Sequence, residues 1–330
     1  MKLTYRIWRL SLPLVLLAAL AAACGGNSPE SEEWEAVFLE LPGALTSVWG
    51  TSPTDVWAVG ADAGPEFGAT VLHYDGSQWQ RLQTGFSGDL WWVFGFSGGP
   101  VFMGGSQGAI LKYENGGFEK MDTPGAPTVY GIWGVAPDNV WAVGGNVSAG
   151  AFAWHYDGVV WAEVPGFPQN VFESDSLFKL YGRNATDMWM IGTNGVALHY
   201  DGSTFTQAPA GTARNLFTVH ADAGLYAAVG GFGSGVIVEN DGGGWKDVTP
   251  DGAPQVIGIY LTGTGQGYAV GVEGSVLRRD GNRWKIVDTG LTIDGAFHSV
   301  WVDPSGGVWA VGGQVLAPPL IDGVMVYKRP

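Results

Sequence analysis

Seven copies of one short apolar pattern, each inside a four-part unit, and a last unit split between the two ends of the chain, predict an all-β fold. The fold is a seven-bladed β-propeller with four antiparallel strands per blade, closed by residues 34–41 completing the last blade. The pattern is clearest as DVWAVG at 55–60, NVWAVG at 139–144, DMWMIG at 187–192 and GVWAVG at 307–312, with weaker copies PVFMGG, LYAAVG and GYAVG between them. The aromatic positions are Trp57, Phe102, Trp141, Trp189, Tyr226, Tyr268 and Trp309, at intervals of 45, 39, 48, 37, 42 and 41 residues, a mean of 42.

The four strands of a unit follow in order. Each unit opens with a strand such as TSVWG at 46–50, then a polar turn (TSPTD, APDN or RNATD), then the VWAVG strand. A loop of variable length leads to the third strand, VLHYDG at 71–76, AWHYDG at 153–158 or ALHYDG at 197–202. The fourth begins almost at once, with Trp79, Trp161, Phe205, Trp245 or Trp284. Asp-Gly between two apolar runs marks a hairpin, because a tight primed turn needs positive φ, which Gly and Asp tolerate best. Helical periodicity is absent. The 54 glycines have no Gly-x-y register and accompany 16 tryptophans, so they read as turn residues.

The ends of the chain argue for a closed ring. The seventh unit runs FHSVWVD, GGVWAVGG and GVMVYKRP and lacks its fourth strand. SEEWEAVFLEL at 31–41 is a strand without a unit: it alternates apolar and polar residues, and Trp34 aligns with Trp79. Two unpaired blade edges would expose rows of backbone donors and acceptors, so residues 34–41 are expected beside GVMVYKRP on the outer edge of the last blade.

Residues 1–23 carry Lys2, Arg6 and Arg9 and then an apolar run from Leu10 to Ala23, too short to span a bilayer comfortably, which reads as a signal peptide. The run ends at Cys24, the only cysteine, and LAAAC resembles the lipobox of bacterial lipoproteins, although Ala21 stands where the commonest motif has Leu. The resemblance implies acylation of Cys24 and, with Gly25 following, an outer-membrane lipoprotein of the cell envelope. A soluble secreted protein cut after Ala-x-Ala is the alternative. Residues 24–33 read as a polar tether; its stretch 25–33 reaches about 30 Å when extended. Without the signal the chain has 13 Lys and Arg against 31 Asp and Glu, a formal charge of −18. Such a surface repels phosphate backbones, so nucleic acid is excluded as a partner and the membrane is reached only through the lipid anchor.

Over roughly residues 34–330 the motifs resemble the tandem repeats of secreted bacterial propeller lipoproteins and, more distantly, kelch and Asp-box propellers. The kelch likeness rests on paired glycines (Gly104-Gly105, Gly144-Gly145, Gly230-Gly231, Gly312-Gly313), with Tyr74 and Trp79 or Tyr156 and Trp161 following. Gly60, Gly192 and Gly271 lack the second glycine. In HYDGSQW, Asp75 and Gly76 are adjacent and the Asp-box serine is missing, so that likeness extends to turn geometry alone. The resemblance implies the fold and no particular chemistry.

Recurring Trp, Tyr and Val positions read as packing between blades. His73, His155 and His199 share one register, but third strands fan outward and an ion needs ligands at about 2 Å, so these histidines read as supports of the Asp-Gly turns. Neither a metal nor a cofactor is expected. The seven remaining arginines, Arg81, Arg183, Arg214, Arg278, Arg279, Arg283 and Arg329, do not assemble at one mouth as sialidase chemistry requires. Variation concentrates in the loops joining second to third strands and blade to blade, which emerge at one end of the ring: 61–70, 145–151, 164–176 and 314–323. Variable loops on a rigid scaffold are where recognition resides.

Trp92 and Lys179 break an inner-strand position that is otherwise Ser47, Gly131, Thr218, Gly258 or Ser299. Together with Asp89, Glu173, Asp175, Asn215 and His298 they form the candidate ligand-binding set. The expected function is that of a monomeric binding scaffold for a protein or glycan partner at the cell surface, with no catalytic residue assigned. The alternative is an envelope glycoside hydrolase or lyase with carboxylates at the channel mouth, drawn from Asp89, Glu173, Asp175 and Asp294.

Overall fold

The computed structural model describes residues 30–330 apart from 147, 169–171, 223 and 264, so the signal segment and Cys24 lie outside the described residues. Seven antiparallel sheets follow one another along the chain, beginning with Leu45–Ser52, Asp55–Asp62, Ala69–Tyr74 and Trp79–Arg81 as blade one. Each inner strand lies against the inner strands of the blades on either side, and that of blade seven (Ala296–Val302) lies against that of blade one. The ring is therefore closed.

The VWAVG strands are buried on both faces, which explains their unbroken apolar run. In blade one, Val56 and Ala58 pack with Trp301, Trp309 and Met325 of blade seven, while Trp57 and Val59 pack with Val93, Val101 and Met103 of blade two. The glycine that ends each run has a steric reason. A Cβ on Gly60 would lie 2.1 Å from the Ala44 carbonyl oxygen, and one on Gly144 would lie 1.9 Å from that of Thr128. Those carbonyls accept hydrogen bonds from Ala61 and Gly145, at 2.9 and 3.1 Å. The same crossing occurs where every inner strand begins, and there each inner strand carries one unpaired extra residue, a β-bulge.

Closure takes the expected form. Trp34–Leu41 pairs antiparallel with Ile321–Lys328, with Trp34 opposite Lys328 and Leu41 opposite Gly323. The strand also clamps both flanking blades: Trp34 meets Tyr268 of blade six edge-on at 6.1 Å, and Phe38 meets Trp79 of blade one at 5.9 Å. One feature lay outside the sequence reading. Glu30 and Ser31, within the segment expected to act as a tether, pair in parallel with Val287 and Asp288 and add a fifth strand to blade six. The Glu32 amide continues this ladder to the Asp288 carbonyl at 3.0 Å, and the Glu32 carboxylate meets Arg278 at 2.7 Å.

In the Asp-Gly turn the two residues divide the work. Gly76, Gly158 and Gly202 take positive φ (88°, 93° and 95°), whereas Asp75, Asp157 and Asp201 do not. The aspartate caps instead: Asp75 Oδ1 accepts from the amides of Ser77 and Gln78, both at 2.9 Å, and from the Ser77 hydroxyl at 2.6 Å. These bonds favour the anion and pull its pKa down to about 2. The neighbouring histidines are bonded within their own blades, His73 to Asp55 at 2.8 Å, His155 to Asn139 at 2.9 Å and His199 to Asp187 at 2.9 Å. Among the described residues no group of three or more His, Cys, Asp or Glu side chains is placed to hold a metal ion.

Candidate functional site: the loop end of the axial channel

The bulges decide what faces the axis. The extra residue is Thr46, Trp91, Tyr130, Phe178, Phe217, Ile257 or His298, one per blade, at the end from which the variable loops emerge. Four are aromatic, and consecutive rings touch: Trp91 to Tyr130 at 5.6 Å, Tyr130 to Phe178 at 5.5 Å and Phe178 to Phe217 at 5.6 Å between centroids. His298 lies 5.9 Å from Trp91. That contact joins blades seven and two across the small Thr46 of blade one, so these rings form a collar around the axis. All five rings are half-buried. Edge-to-face and tilted arrangements of this kind leave ring faces and edges available to an apolar or aromatic guest.

Just inside the collar, two pattern-breaking residues meet. Trp92 of blade two spans blade three, where Gly131 offers no side chain, and its indole N–H donates to the Ile132 carbonyl at 3.0 Å. Lys179 of blade four places its Nζ over the Trp92 ring, 4.4 Å from the centroid, and donates to the Tyr130 carbonyl at 2.6 Å. Lys179 is 4% exposed. Burial pushes its ammonium pKa down to about 7.

His298 answers it from the far side of the axis. Its Nδ1 contacts the Thr46 carbonyl, which can only accept, so Nδ1 carries the proton and Nε2 is left as an acceptor. Burial, followed by the positive charge of Lys179, lowers the imidazole pKa to about 3, against the opposing bond to Thr46. The ring is neutral at physiological pH.

The other candidates sit on the rim and hold loops. Asp89 Oδ1 accepts from the Asp62 amide at 2.9 Å, Asn215 Oδ1 from the Asn194 amide at 3.0 Å, and Gln255 Oε1 from the Gly233 amide at 3.2 Å. These are one device, used in three of the seven blades, in which the residue before the inner strand reaches back to the preceding blade. Asp175 accepts from the Thr193 hydroxyl at 2.7 Å and the Asn194 side chain at 2.9 Å, and Glu173 is exposed. The structure thus gathers Trp92, Lys179 and His298 at the axis and distributes Asp89, Glu173, Asp175 and Asn215 around the rim. The sequence reading missed the collar, although Trp91, Tyr130, Phe178 and Phe217 each precede a residue it had aligned.

Two large apolar side chains stand out from the same face, Phe232 at 86% exposure in the second-to-third loop of blade five and Leu316 at 60% in that of blade seven. The opposite end differs. There Tyr181, Arg183, Asn184, Asp187 and Asp222 line an open polar groove of about 530 Å³ between blades four and five, in which Arg183 pairs with Asp187 at 2.8 Å.

No protein-family model matches the chain, and no curated protein matches it in sequence. Among solved structures it is similar to YCF48 bound to a D1 peptide, with 16% identity over 92% of this chain and 100% of that one and a TM-score of 0.67. A streptogramin B lyase shares 12% identity over 89% and 97% of the two chains, with a TM-score of 0.68. The extracellular domain of a hybrid two-component system from B. thetaiotaomicron shares 15% identity over 89% of this chain and 39% of that one, with a TM-score of 0.65. At such identities the likeness carries the seven-bladed fold and leaves the chemistry to the site.

Proposed function

We propose that the protein is a lipid-anchored cell-envelope propeller that binds a segment of a partner protein on its loop face, seated on the aromatic collar. The collar carries the reading: Trp91, Tyr130, Phe178, Phe217 and His298 present half-buried rings at the axis, with Phe232 and Leu316 exposed on loops at the same end of the ring. A scattered exposed apolar residue needs no explanation, whereas a ring of five around one mouth is a docking surface. YCF48, a propeller of the same fold, is bound to a D1 peptide, which supports this use of the scaffold. Carbohydrate chemistry is less favoured, because Asp89 and Asp175 are engaged as hydrogen-bond acceptors for neighbouring loops.

The test uses the purified ectodomain against immobilised peptides and, in parallel, envelope polysaccharides. Trp91→Ala and Phe232→Ala should weaken peptide capture about tenfold or more each at unchanged thermal stability. Capture of polysaccharide alone, or release of new reducing ends from it, would overturn the reading. For the anchor, Cys24→Ser should release the protein from membranes; undiminished membrane association would sink the lipoprotein assignment.

A further inference from the structure

The collar lies directly above a cation that has no counter-ion. Arg279, the other deeply buried cation, is paired with Glu239 at 2.6 Å. Lys179 has no carboxylate partner among the described residues, in a chain with 31 Asp and Glu. Its ammonium has three N–H groups. One meets the Tyr130 carbonyl, and the Trp92 face supplies a weaker attraction. At least one donor is left for a guest, and an unpaired charge at this depth is stabilised most by an anion.

Building on the loop-face reading, we propose that Lys179 is the receptor for a carboxylate carried by the bound segment, which enters the channel through the aromatic collar. The collar rings would hold the apolar part of the guest, Lys179 its carboxylate, and the free Nε2 of His298 an N–H of the guest. The carboxylate can come from a chain terminus or from an acidic side chain, and both offer the same two oxygens to an ammonium.

The surroundings keep the site selective for that charge. The titratable groups on the inner strands around Lys179 are Tyr130, Tyr181, His220, Tyr260 and His298, with Arg183 at the far end of its own strand paired to Asp187. Burial raises the tyrosines and lowers both histidines, so these five are neutral near pH 7. Lys179 alone changes charge there, by the burial already described.

Three probes test the proposal by titration calorimetry below neutral pH: N-acetylphenylalanine, its primary amide, and N-acetyl-glutamyl-phenylalanine amide. At least one carboxylate probe should bind about tenfold or more tighter than the amide. Preference for the first places a chain terminus in the site, and preference for the third an acidic side chain. In Lys179→Met, of similar length and apolar, the preference should fall to near one while Trp91→Ala weakens all probes alike. In the wild type the preference should fade as pH rises above neutrality, a readout independent of any variant. Equal affinity for all three probes, no binding by any, or a preference that survives Lys179→Met would overturn the proposal. Should Trp91→Ala still weaken peptide capture in those cases, the loop-face reading stands without it.

Discussion

Two cations are buried among the described residues, and they are treated in opposite ways. Arg279, 7% exposed, lies between blades five and six with both carboxylate oxygens of Glu239 against it, at 2.6 and 3.0 Å, and its Nη1 donating to the Gly265 and Gly281 carbonyls. Trp284 donates to the same Glu239 at 2.9 Å, so acid, guanidinium and indole form one hydrogen-bonded unit. Lys179, 4% exposed, has a carbonyl and an aromatic face. The first is how a chain buries charge to join two blades. The second is how it keeps a charge in readiness, since desolvation without compensation leaves an electrostatic demand that only solvent or a guest can meet.

The contrast can be broken in order of expected effect. Glu239→Ala leaves Arg279 charged and alone and removes the acceptor of Trp284, and chemical denaturation should show a loss of about 3–5 kcal/mol. A loss below about 1 kcal/mol would mean that the interface re-forms around water and that the pairing matters little.

Lys179→Met should do the reverse and raise stability at pH 7 by about 1–4 kcal/mol, because the native pKa lies well below that of the unfolded side chain. The linkage gives a second reading. Between about pH 7 and 10 the unfolded chain binds the proton that native Lys179 has lost, so wild-type stability should rise with pH by up to about 1.4 kcal/mol per unit. Lys179→Met should remove that slope. A flat wild-type profile over this range would show that the ammonium is solvated.

On the acid side, His220 and His298 are held neutral, with burial lowering both to about 3. Below about pH 6.5 the unfolded chain takes up protons that these rings refuse, so stability should fall between there and pH 3. His220→Phe, placed between Tyr181 and Tyr260 whose centroids are both 4.1 Å away, should flatten part of that decline. The smallest effect belongs to a paired but exposed cation. Arg329→Ala, which loses its 3.1 Å contact to Glu35 with side chains 77% and 50% exposed, should change stability by less than about 0.5 kcal/mol.

The blades were legible because their signals are local. Val56 to Val59 is buried on both faces, and Trp34 aligns with Trp79, so the repeat and its split end can be read by eye. The collar was not legible, because a β-bulge shifts the alternation by one residue and nothing near Trp91 says whether it or Trp92 faces the axis. The extra strand at Glu30–Ser31 is two residues long and has no pattern to find. Lys179 and Trp92 were visible as breaks in a repeat, but their meeting across blade three depends on Gly131, which is distant from both in sequence. Asp89 and Asn215 stood in the candidate set as ligand contacts, whereas their side chains serve the preceding blade.

The closing strand also sets a timetable. A ribosome makes Trp34–Leu41 some 280 residues before its partner Ile321–Lys328 begins. Bringing the two together from a free chain costs about 5 kcal/mol in loop entropy alone. Blades one to six lower that cost by carrying the ends towards each other as they stack. The ring can therefore shut only once Ile321–Lys328 has been made, and until then Trp34–Leu41 travels with an open edge.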